Sequence, residues 1–309
     1  MIALVHVGID VSKHHLDISD PETGFARIPN QEEAVTALAA DLARRGRAAV
    51  FEATGRYDAL LRRAFEQTGV PHARVNPERA RDFARAAGLH AKTDRIDARM
   101  LARLGAALGP QAREAPDPDR ERLARRRKRR EQLVAMRAQE RARLAECDDP
   151  EEEASLRAHL AWLDEAIARA DAVLRALIKA NEELRRCERR IRTVPGVGPV
   201  TAATLLALMP ELGRRSAKTV AALAGLAPYA RESGRFKGAR SVQGGRKTVR
   251  DALYMAALTA ARSKTALGDY ARSLKARGKP PKLVLIALAR KLITLVNAIV
   301  RDQTTFKAA

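Results

Sequence analysis

Four acidic residues have the types and spacing that metal-dependent chemistry on phosphates requires; they are named the acidic tetrad below and are Asp10, Glu52, Asp94 and Asp97. Asp10 and Glu52 each end an apolar run of the kind that forms a β-strand, so each carboxylate is predicted at a strand end. Asp94 and Asp97 are three residues apart in a helical pattern. They would share one helix face, with Cβ atoms about 5–6 Å apart.

Elements of this kind that meet at one sheet edge would form a cage of hard oxygen ligands. Such a cage suits Mg²⁺, with Mn²⁺ as the alternative ion. Two metal ions about 3.5–4 Å apart can act on both the attacking and the leaving oxygen of a phosphodiester. The acidic tetrad therefore predicts an enzyme that cuts or rejoins nucleic acid.

The charge of the chain indicates a polyanionic partner. The 309 residues include 58 Lys plus Arg against 37 Asp plus Glu, a formal net charge of +21. A GC-rich genome would explain Arg in place of Lys, but it would not explain the excess of bases over acids. Nucleic acid is the commonest partner of so basic a protein.

The cysteines and histidines give no sign of a metal site. Cys147 and Cys187 are far apart and match no zinc-binding spacing, so we expect reduced thiols in a cytosolic protein. His14 and His15 lie near Asp10 in the sequence, and we expect solvent-exposed or core positions for both.

The sequence predicts a cytoplasmic protein without a membrane span. The N-terminal run lacks the charged lead and cleavage site of a signal peptide. The most apolar stretch, residues 283–300, carries Arg290 and Lys291 in its middle, which is costly in a bilayer. We therefore expect an amphipathic helix that packs on the protein or on a partner subunit.

The first hundred residues predict an α/β domain with the element order βββαβαβαα. This order, an antiparallel hairpin followed by parallel strands, is that of the RNase H-like fold. The acids fall at the end of the first strand, at the end of the fourth strand and on a late helix. The predicted strands are 3–11, 15–19, 24–28, 47–53 and 71–75, and the helices are 31–45, 57–67 and those starting near 77 and 93.

The rest of the chain is predicted to be all-α. Pro and Asp are frequent in residues 110–120, which marks a boundary. Residues 120–190 predict a long helical hairpin that turns at residues 147–151. One interpretation of this hairpin is a coiled coil that pairs subunits. The expected domains are an RNase H-like domain, a helical hairpin and a helical C-terminal domain, at residues 1–110, 111–190 and 191–309.

Eight of the eleven residues from Arg120 to Arg130 are basic. A solvated helix face is one interpretation. Such a density of like charge repels itself unless phosphates lie nearby, so the pattern favours contact with nucleic acid. The residues predicted to make this contact are Arg125, Arg126, Arg127, Lys128, Arg129 and Arg130.

The turn at residues 194–199, with Gly196 and Gly198, resembles a helix-hairpin-helix. Backbone N–H groups at the N-terminus of a helix can bind a DNA phosphate without reading sequence. The alternative is a purely structural turn between two helices.

A basic, glycine-rich segment follows at residues 225–247 and is predicted to grip a nucleic-acid backbone. Its two serines, Ser233 and Ser241, are candidate nucleophiles toward phosphorus, against the alternative of ordinary loop residues. The basic residues expected to contact the backbone are Arg235, Lys237, Arg240, Arg246 and Lys247.

Several motifs together, and in this order, resemble the DEDD transposases of the insertion-sequence-110 family, recombinases guided by a bridge RNA. The resemblance extends from residue 4 to about residue 262. The motifs are Gly-Ile-Asp-Val-Ser-Lys at 8–13, Glu-Ala-Thr-Gly-Arg-Tyr at 52–57, Lys-Thr-Asp-Arg-Ile-Asp-Ala at 92–98, Pro-Gly-Val-Gly at 195–198 and Ser-Gly at 233–234.

The resemblance implies two catalytic parts. An RNase H-like (RuvC-type) domain would supply the acidic tetrad, and a C-terminal transposase domain would supply a serine nucleophile. The serine of the family stands directly before a glycine, which corresponds to Ser233 here and places Ser241 second. The chain departs from the family pattern at residues 242–245, where Val-Gln-Gly-Gly replaces a basic residue before glycine.

The resemblance also implies donor and target DNA, a guide RNA and a homo-oligomer, dimer or tetramer, as partners. Two other classes of function stay open. One is a metal-dependent nuclease or Holliday-junction resolvase that uses water as the nucleophile. The other is a non-catalytic nucleic-acid-binding protein with a decayed site, although decay should have altered one of the four acids, and all four are present.

Overall fold

The computed structural model divides into two compact units, Met1–Pro116 and Asp117–Ala309, called the first and second unit below. The further division into three domains stays a prediction. The structure describes residues 5–53, 55, 57–89, 93–109, 117–229, 232, 233, 236, 237 and 241–307.

The first unit contains a five-stranded mixed sheet with the strand order β3-β2-β1-β4-β5. The first three strands are antiparallel, and β4 and β5 continue the sheet in parallel to β1. The predicted RNase H-like fold and its element order are confirmed. The elements are β1 His6–Val11, β2 His15–Asp20, β3 Gly24–Pro29, α1 Glu32–Arg44, β4 Ala48–Glu52, α2 Ala59–Thr68, β5 His72–Val75, α3 Pro77–Ala86 and α4 Asp94–Leu108.

The two faces of this sheet carry different helices. One face packs Ile9, Leu16 and Phe51 against α1 and α2, and the other packs Val50 against α3 and α4. Side chains alternate between the faces along a strand. Even-numbered residues of β1 and β4 therefore face α4.

Helix α4 lies unusually close to β1, because glycines meet it at two points. A Cβ atom on Gly8 would lie 2.0 Å from the carbonyl oxygen of Ala98 and 2.3 Å from the amide nitrogen of Ala102. A Cβ atom on Gly105 would lie 2.7 Å from Cβ of His6. Gly105, late in the helix, lies beside His6, whereas Ala98 lies beside Gly8, which comes later in the strand. Helix α4 therefore runs antiparallel to β1, and its first turn is directed toward the carboxyl end of that strand.

The second unit is mostly helical and begins with the predicted hairpin, which is confirmed. Leu133 packs against Leu163 and Ile167 between its two arms. The second arm is shorter than predicted, since it ends at Ala180 and Asn181 starts a new helix by accepting a hydrogen bond from the Leu184 amide (3.0 Å). The helices are α5 Pro118–Glu146, α6 Pro150–Ala180, α7 Glu182–Ile191, α8 Pro199–Leu208, α9 Ala217–Leu223, α10 Lys247–Ala260, α11 Ala266–Ala276 and α12 Pro281–Asp302.

Helix α12 packs in the core of the second unit, as the sequence predicts. By length and composition alone, this helix would also suit a membrane span, and it is the one such helix among the described residues. Its Leu288, Leu292 and Val296 are nevertheless fully buried against neighbouring helices. The buried Asn297 accepts a hydrogen bond from the Gly213 amide (2.8 Å) and donates to a second backbone group, so a core position satisfies its polar side chain.

Replacing Gly8 by alanine should destabilise the first unit by about 3 kcal/mol or more, because the added methyl group meets helix backbone that cannot rotate away. The control is Gly46→Ala, which has open space around it and a φ of +62°, so only backbone strain of about 1 kcal/mol is expected. Chemical denaturation of both variants measures the difference. Equal stability of the two variants would contradict the close packing of α4 on β1.

Candidate active site

Asp10 and Glu52 lie side by side at one edge of the sheet. The adjacent parallel strands β1 and β4 pair up to Ile9 and Phe51, and the two acids follow directly. Gly8 and Val50, two residues earlier, face α4, so the alternation of side chains turns both acids toward that helix. Both side chains are half-buried.

Asp94 and Asp97 occupy the first turn of α4, as predicted. Thr93 caps this helix, and its hydroxyl accepts a hydrogen bond from the Ile96 amide (3.3 Å). Acidic side chains are favoured at this end of a helix, because its free N–H groups carry partial positive charge. The antiparallel course of α4 over β1 directs this turn toward Asp10.

Two further charged residues belong to the site and are missing from the sequence-based prediction. Asp17 of β2 is the cross-strand partner of Asp10, and Arg27 of β3 is the partner of Asp17. The Arg27 guanidinium donates to both carboxylate oxygens of the buried Asp17 (2.8 and 3.1 Å) and to Oδ2 of Asp94 (2.8 Å). Strand alternation alone puts Asp17 on one of two faces; only the register of the hairpin sets it opposite Asp10.

The electrostatics show that the other acids of the tetrad act on Asp10. The pKa of Asp10 is raised to about 6, first by burial and then by the negative charges of Asp97, Asp94, Glu52 and Asp17, in that order. The charges of the three other acids predicted from sequence thus act at the Asp10 carboxyl group.

The chemistry of these donors fits a hard divalent cation, since every one is a carboxylate. Within the described ranges, however, no three His, Cys, Asp or Glu side chains converge closely enough to surround an ion. Two physical causes favour this spread. Carboxylates repel one another without a cation between them, and Arg27 engages the Asp94 carboxylate.

The two candidate serines belong to the second unit, in a segment of short strands: β6 Pro228–Tyr229, β7 Glu232–Ser233, β8 Phe236–Lys237 and β9 Ser241–Val242. β6 pairs with β9, and β7 pairs with β8, with Ser233 opposite Phe236. The Arg250 guanidinium joins the two ends of this segment by donating to the carbonyl oxygens of Gly244 (2.8 Å) and Gly225 (3.3 Å).

The residues predicted to bind nucleic acid fall into two groups. Arg130 is paired with Asp171 (2.5 Å), and Arg246 is paired with Glu211 (2.6 Å), so part of their charge is neutralised within the protein. Arg127 pairs with a neighbour on its own helix. The exposed members are Arg125, Arg126, Lys128, Arg129 and Lys247, of which Arg125 and Lys247 also pair with acids on their own helices. Arg235 and Arg240 lie outside the described residues, and of Lys237 only the backbone is described.

The turn with Gly196 has a structural requirement of its own. Gly196 has a φ of +88°, and a Cβ atom there would lie 2.2 Å from the carbonyl oxygen of Ala256 on α10. Gly198 precedes α8 with open space around it. A phosphate-binding role for this turn stays a prediction beside the structural one.

The histidines and cysteines add no further group to the site. His14 and His15 have exposed side chains where β1 turns into β2. Cys147 and Cys187 are half-buried free thiols, and burial raises the pKa of Cys187, which disfavours its reactive thiolate.

The raised pKa of Asp10 predicts a pH-dependent stability in metal-free buffer. Its contribution is fully present below its ordinary pKa of 3.8 and is lost as pH rises through about 6, because the folded protein then holds a charged, buried carboxylate. Asp10→Asn should therefore raise the melting temperature above pH 6 and leave it nearly unchanged below pH 4. Asp41→Asn is a control of opposite sign, since Arg45 lowers the pKa of Asp41 and the substitution should destabilise at neutral pH. A melting-temperature difference for Asp10→Asn that does not vary with pH would contradict the electrostatic assignment.

Comparison with known proteins places the chain in a family. Residues 7–147 match the DEDD transposase model of IS110 elements, and residues 188–272 match the model described as the transposase IS116/IS110/IS902 family. A RuvC structure from Thermus thermophilus is similar over 37% of this chain and 83% of that chain, with 20% identity and a TM-score of 0.22. At that TM-score the fold assignment depends on the strand order and on the family match.

Relatives of known name agree with the family models. The pilin gene-inverting proteins of Moraxella lacunata and Moraxella bovis are each 31% identical over 240 residues, which is 75% of this chain and 73% of theirs. A protein of insertion element IS116 from Streptomyces clavuligerus is 32% identical over 182 residues, 58% of this chain and 43% of its own. The chain belongs to the IS116/IS110/IS902 family of transposases and is a DNA transposase.

Proposed function

We propose that this transposase cuts and rejoins DNA strands with the acidic tetrad and Ser233 acting together, and that a guide RNA selects the sites. The observation that carries the proposal is the negative charge that the rest of the tetrad places at Asp10. Glu52 of β4 and both acids of α4 raise the pKa of Asp10, together with Asp17 of β2. Repulsion between carboxylates at one sheet edge destabilises the fold, and such perturbed acids cluster at functional sites.

The tetrad would hold Mg²⁺ or Mn²⁺, which when bound supplies Lewis-acid polarisation of the scissile phosphate. Arg27 has a part in this. It neutralises Asp17, which is buried directly opposite Asp10, and so reduces the repulsion that the tetrad must bear. It also pairs with Asp94, so a cation that enters the site competes with Arg27 for that carboxylate.

Ser233 is the proposed nucleophile. Its hydroxyl oxygen attacks phosphorus, a new P–O bond forms to serine, and the P–O3′ bond breaks. The serine proton is transferred so that the released strand ends in a 3′-hydroxyl, while the other strand end is held as a 5′-phosphoserine. Attack of a 3′-hydroxyl on that link reverses the chemistry and rejoins strands. The phosphodiester energy is conserved in the covalent link, so ATP is not needed.

A guide RNA fits the way in which this chain presents its charge. Its exposed basic residues include many arginines and lysines on helices. Side chains of this kind contact phosphates, and such contacts carry no direct sequence information. Base pairing would then supply the sequence selection. The pilin gene-inverting relatives are named for the inversion of a gene, a rearrangement that requires strands to be rejoined after cutting.

A metal-dependent nuclease or junction resolvase is the second candidate function. The observation in its favour is the set of acids around Asp10, because carboxylates that hold a metal ion can activate water and need no serine. The two functions differ in their products. Hydrolysis by water leaves free 5′-phosphate ends, whereas the serine route leaves protein attached to DNA.

The active species is proposed to be a homo-oligomer with a composite site. The first hairpin arm, α5, has 29 residues, which corresponds to about 44 Å at 1.5 Å per residue. Met136, Trp162 and Val173 on the hairpin expose 43–50% of their surface, and apolar side chains of this size are suited to contact with another subunit. Such a hairpin would deliver Ser233 of one subunit to the tetrad of another.

Mixing two inactive variants tests the nucleophile and the composite site together. Ser233→Ala and Asp10→Ala should each lose strand cleavage while keeping the melting temperature of a folded protein. A mixed oligomer should regain cleavage, because it contains one intact serine and one intact tetrad. Cleavage of labelled DNA and the covalent protein–DNA band on a denaturing gel are the readouts.

The contrary outcomes of this experiment are separate. A covalent band that persists in Ser233→Ala and disappears in Ser241→Ala would move the nucleophile to Ser241. Cleavage by Ser233→Ala that yields free 5′-phosphates would establish the hydrolytic alternative. No cleavage in mixed oligomers that demonstrably form would exclude the composite site.

Neutralising the exposed bases of the first hairpin arm tests backbone contact. Replacing Arg125, Arg126, Lys128 and Arg129 by Gln should weaken binding to all sequences alike. The slope of log K against log salt should fall by up to about 3–4, because four phosphate contacts are removed. The control replaces four exposed bases of the second arm, Arg157, Arg169, Arg175 and Lys179, with the same change in net charge. Equal slopes for the two variants would show that the first-arm bases are merely solvated.

A further inference from the structure

A groove in the first unit lies outside every site considered so far. It has a volume of about 590 Å³ and runs between the β2–β3 hairpin and the outer side of α4. Arg95, Arg99 and Arg103 of α4 line one wall, and Phe25 of β3 lies on the other. Resting on the proposed function, we propose that this groove, called the α4 groove, binds the phosphate backbone of a single nucleic-acid strand that leads to the acidic tetrad.

The charge of the α4 groove is the first argument. Its three arginines are all exposed, and within the part of the chain that the structure describes no carboxylate is in ion-pair contact with them. The acid that also lines the groove, Asp20, is buried and lies 2.7 Å from the Arg45 guanidinium. The groove therefore presents uncompensated positive charge, in contrast to the ion-paired arginines of the hairpin.

The spacing of the arginines is the second argument. They are four residues apart, so they form one row on the helix, about 6 Å between neighbours and about 12 Å in total. A strand stacked as in B-DNA carries one phosphate per about 3.4 Å of axis, so the row spans up to three or four phosphates, and fewer where the strand is extended. Guanidinium groups bind phosphates with paired donors, which makes arginine well suited to such a row.

The wall formed by Phe25 favours a single strand over a duplex. The ring is 37% exposed, and the Arg95 guanidinium lies 5.2 Å from its centroid. Aromatic rings beside a basic groove stack unpaired bases without selecting a sequence, at about 1–3 kcal/mol per base. Paired bases inside a duplex offer no free face for this contact.

The position of the row on α4 connects it with the site. Arg95 follows Asp94 directly, and the row continues toward the C-terminal end of the same helix. A strand whose phosphate lies at the tetrad can therefore continue along the row without leaving the helix. One rigid element would fix both the reacting phosphate and the three or four nucleotides beside it.

The test measures binding in the absence of cleavage. A full-length Ser233→Ala protein in EDTA is titrated against fluorescein-labelled 12-nucleotide single strands of DNA and of RNA, by fluorescence anisotropy at several salt concentrations. Adding Arg95→Ala, Arg99→Ala and Arg103→Ala together should weaken binding about tenfold at 100 mM salt and lower the salt slope by about 2. Phe25→Leu should weaken binding a few-fold and leave the slope unchanged, because it removes stacking and no charge.

A matched control removes three exposed arginines elsewhere in the first unit, Arg63, Arg79 and Arg81, with the same change in net charge. Melting temperatures verify that each variant is folded. A larger loss for DNA than for RNA assigns the groove to the DNA strand, and the reverse assigns it to the guide RNA. An α4-groove variant with the affinity and slope of the control overturns the inference. Failure of the proposed function would be recognised by a separate result, namely cleavage by Ser233→Ala in the presence of metal.

Discussion

The contact between α4 and β1 is the constraint on which the acidic site depends. Gly8 leaves no side chain between the strand and the helix backbone, and Gly105 leaves room for the side chains of His6 and Val50 against the helix. The helix therefore lies directly on the sheet, and its N-terminal turn is carried over the carboxyl end of β1. Two acids from a helix reach an acid on a strand because the packing distance is so short.

Bringing like charges together has a cost, and the structure shows how it is limited. Part of this free-energy cost appears as the raised pKa of Asp10. Arg27 takes another part, since it bridges the buried Asp17 and the exposed Asp94. Arg27 thus supplies positive charge within the site itself. An arginine that pairs with one tetrad member also explains why the four carboxylates are spread and not drawn around one point.

The second unit distributes its arginines in another way. In the hairpin, Arg130 and Arg137 make ion pairs with acids of the opposite arm, so they hold the arms in register. Arg246 and Arg250 bind groups at the base of the segment that carries Ser233. A high count of basic residues thus overstates the surface available to nucleic acid. The exposed arginines of the α4 groove, which have no ion-pair partner among the described residues, are a smaller set with a more defined position.

Local sequence patterns were enough to predict the order of elements, the strand-end positions of Asp10 and Glu52 and the shared helix face of Asp94 and Asp97. These depend on local patterns of apolar residues, glycines and prolines, which a single sequence displays directly. The hairpin was predictable for the same reason. The break at Asn181 was not, because one capping residue in a long run of helix formers is a weak signal.

Which charges share a site depends on contacts between residues that are distant in the sequence. The pairing of Asp17 with Asp10 depends on hairpin register, and the reach of Arg27 to Asp94 joins residues 67 positions apart. The α4 groove likewise requires a helix to lie beside a hairpin that is distant in sequence. Burial, register and close packing are non-local, so the residues that tune the site became visible only when the chain was folded.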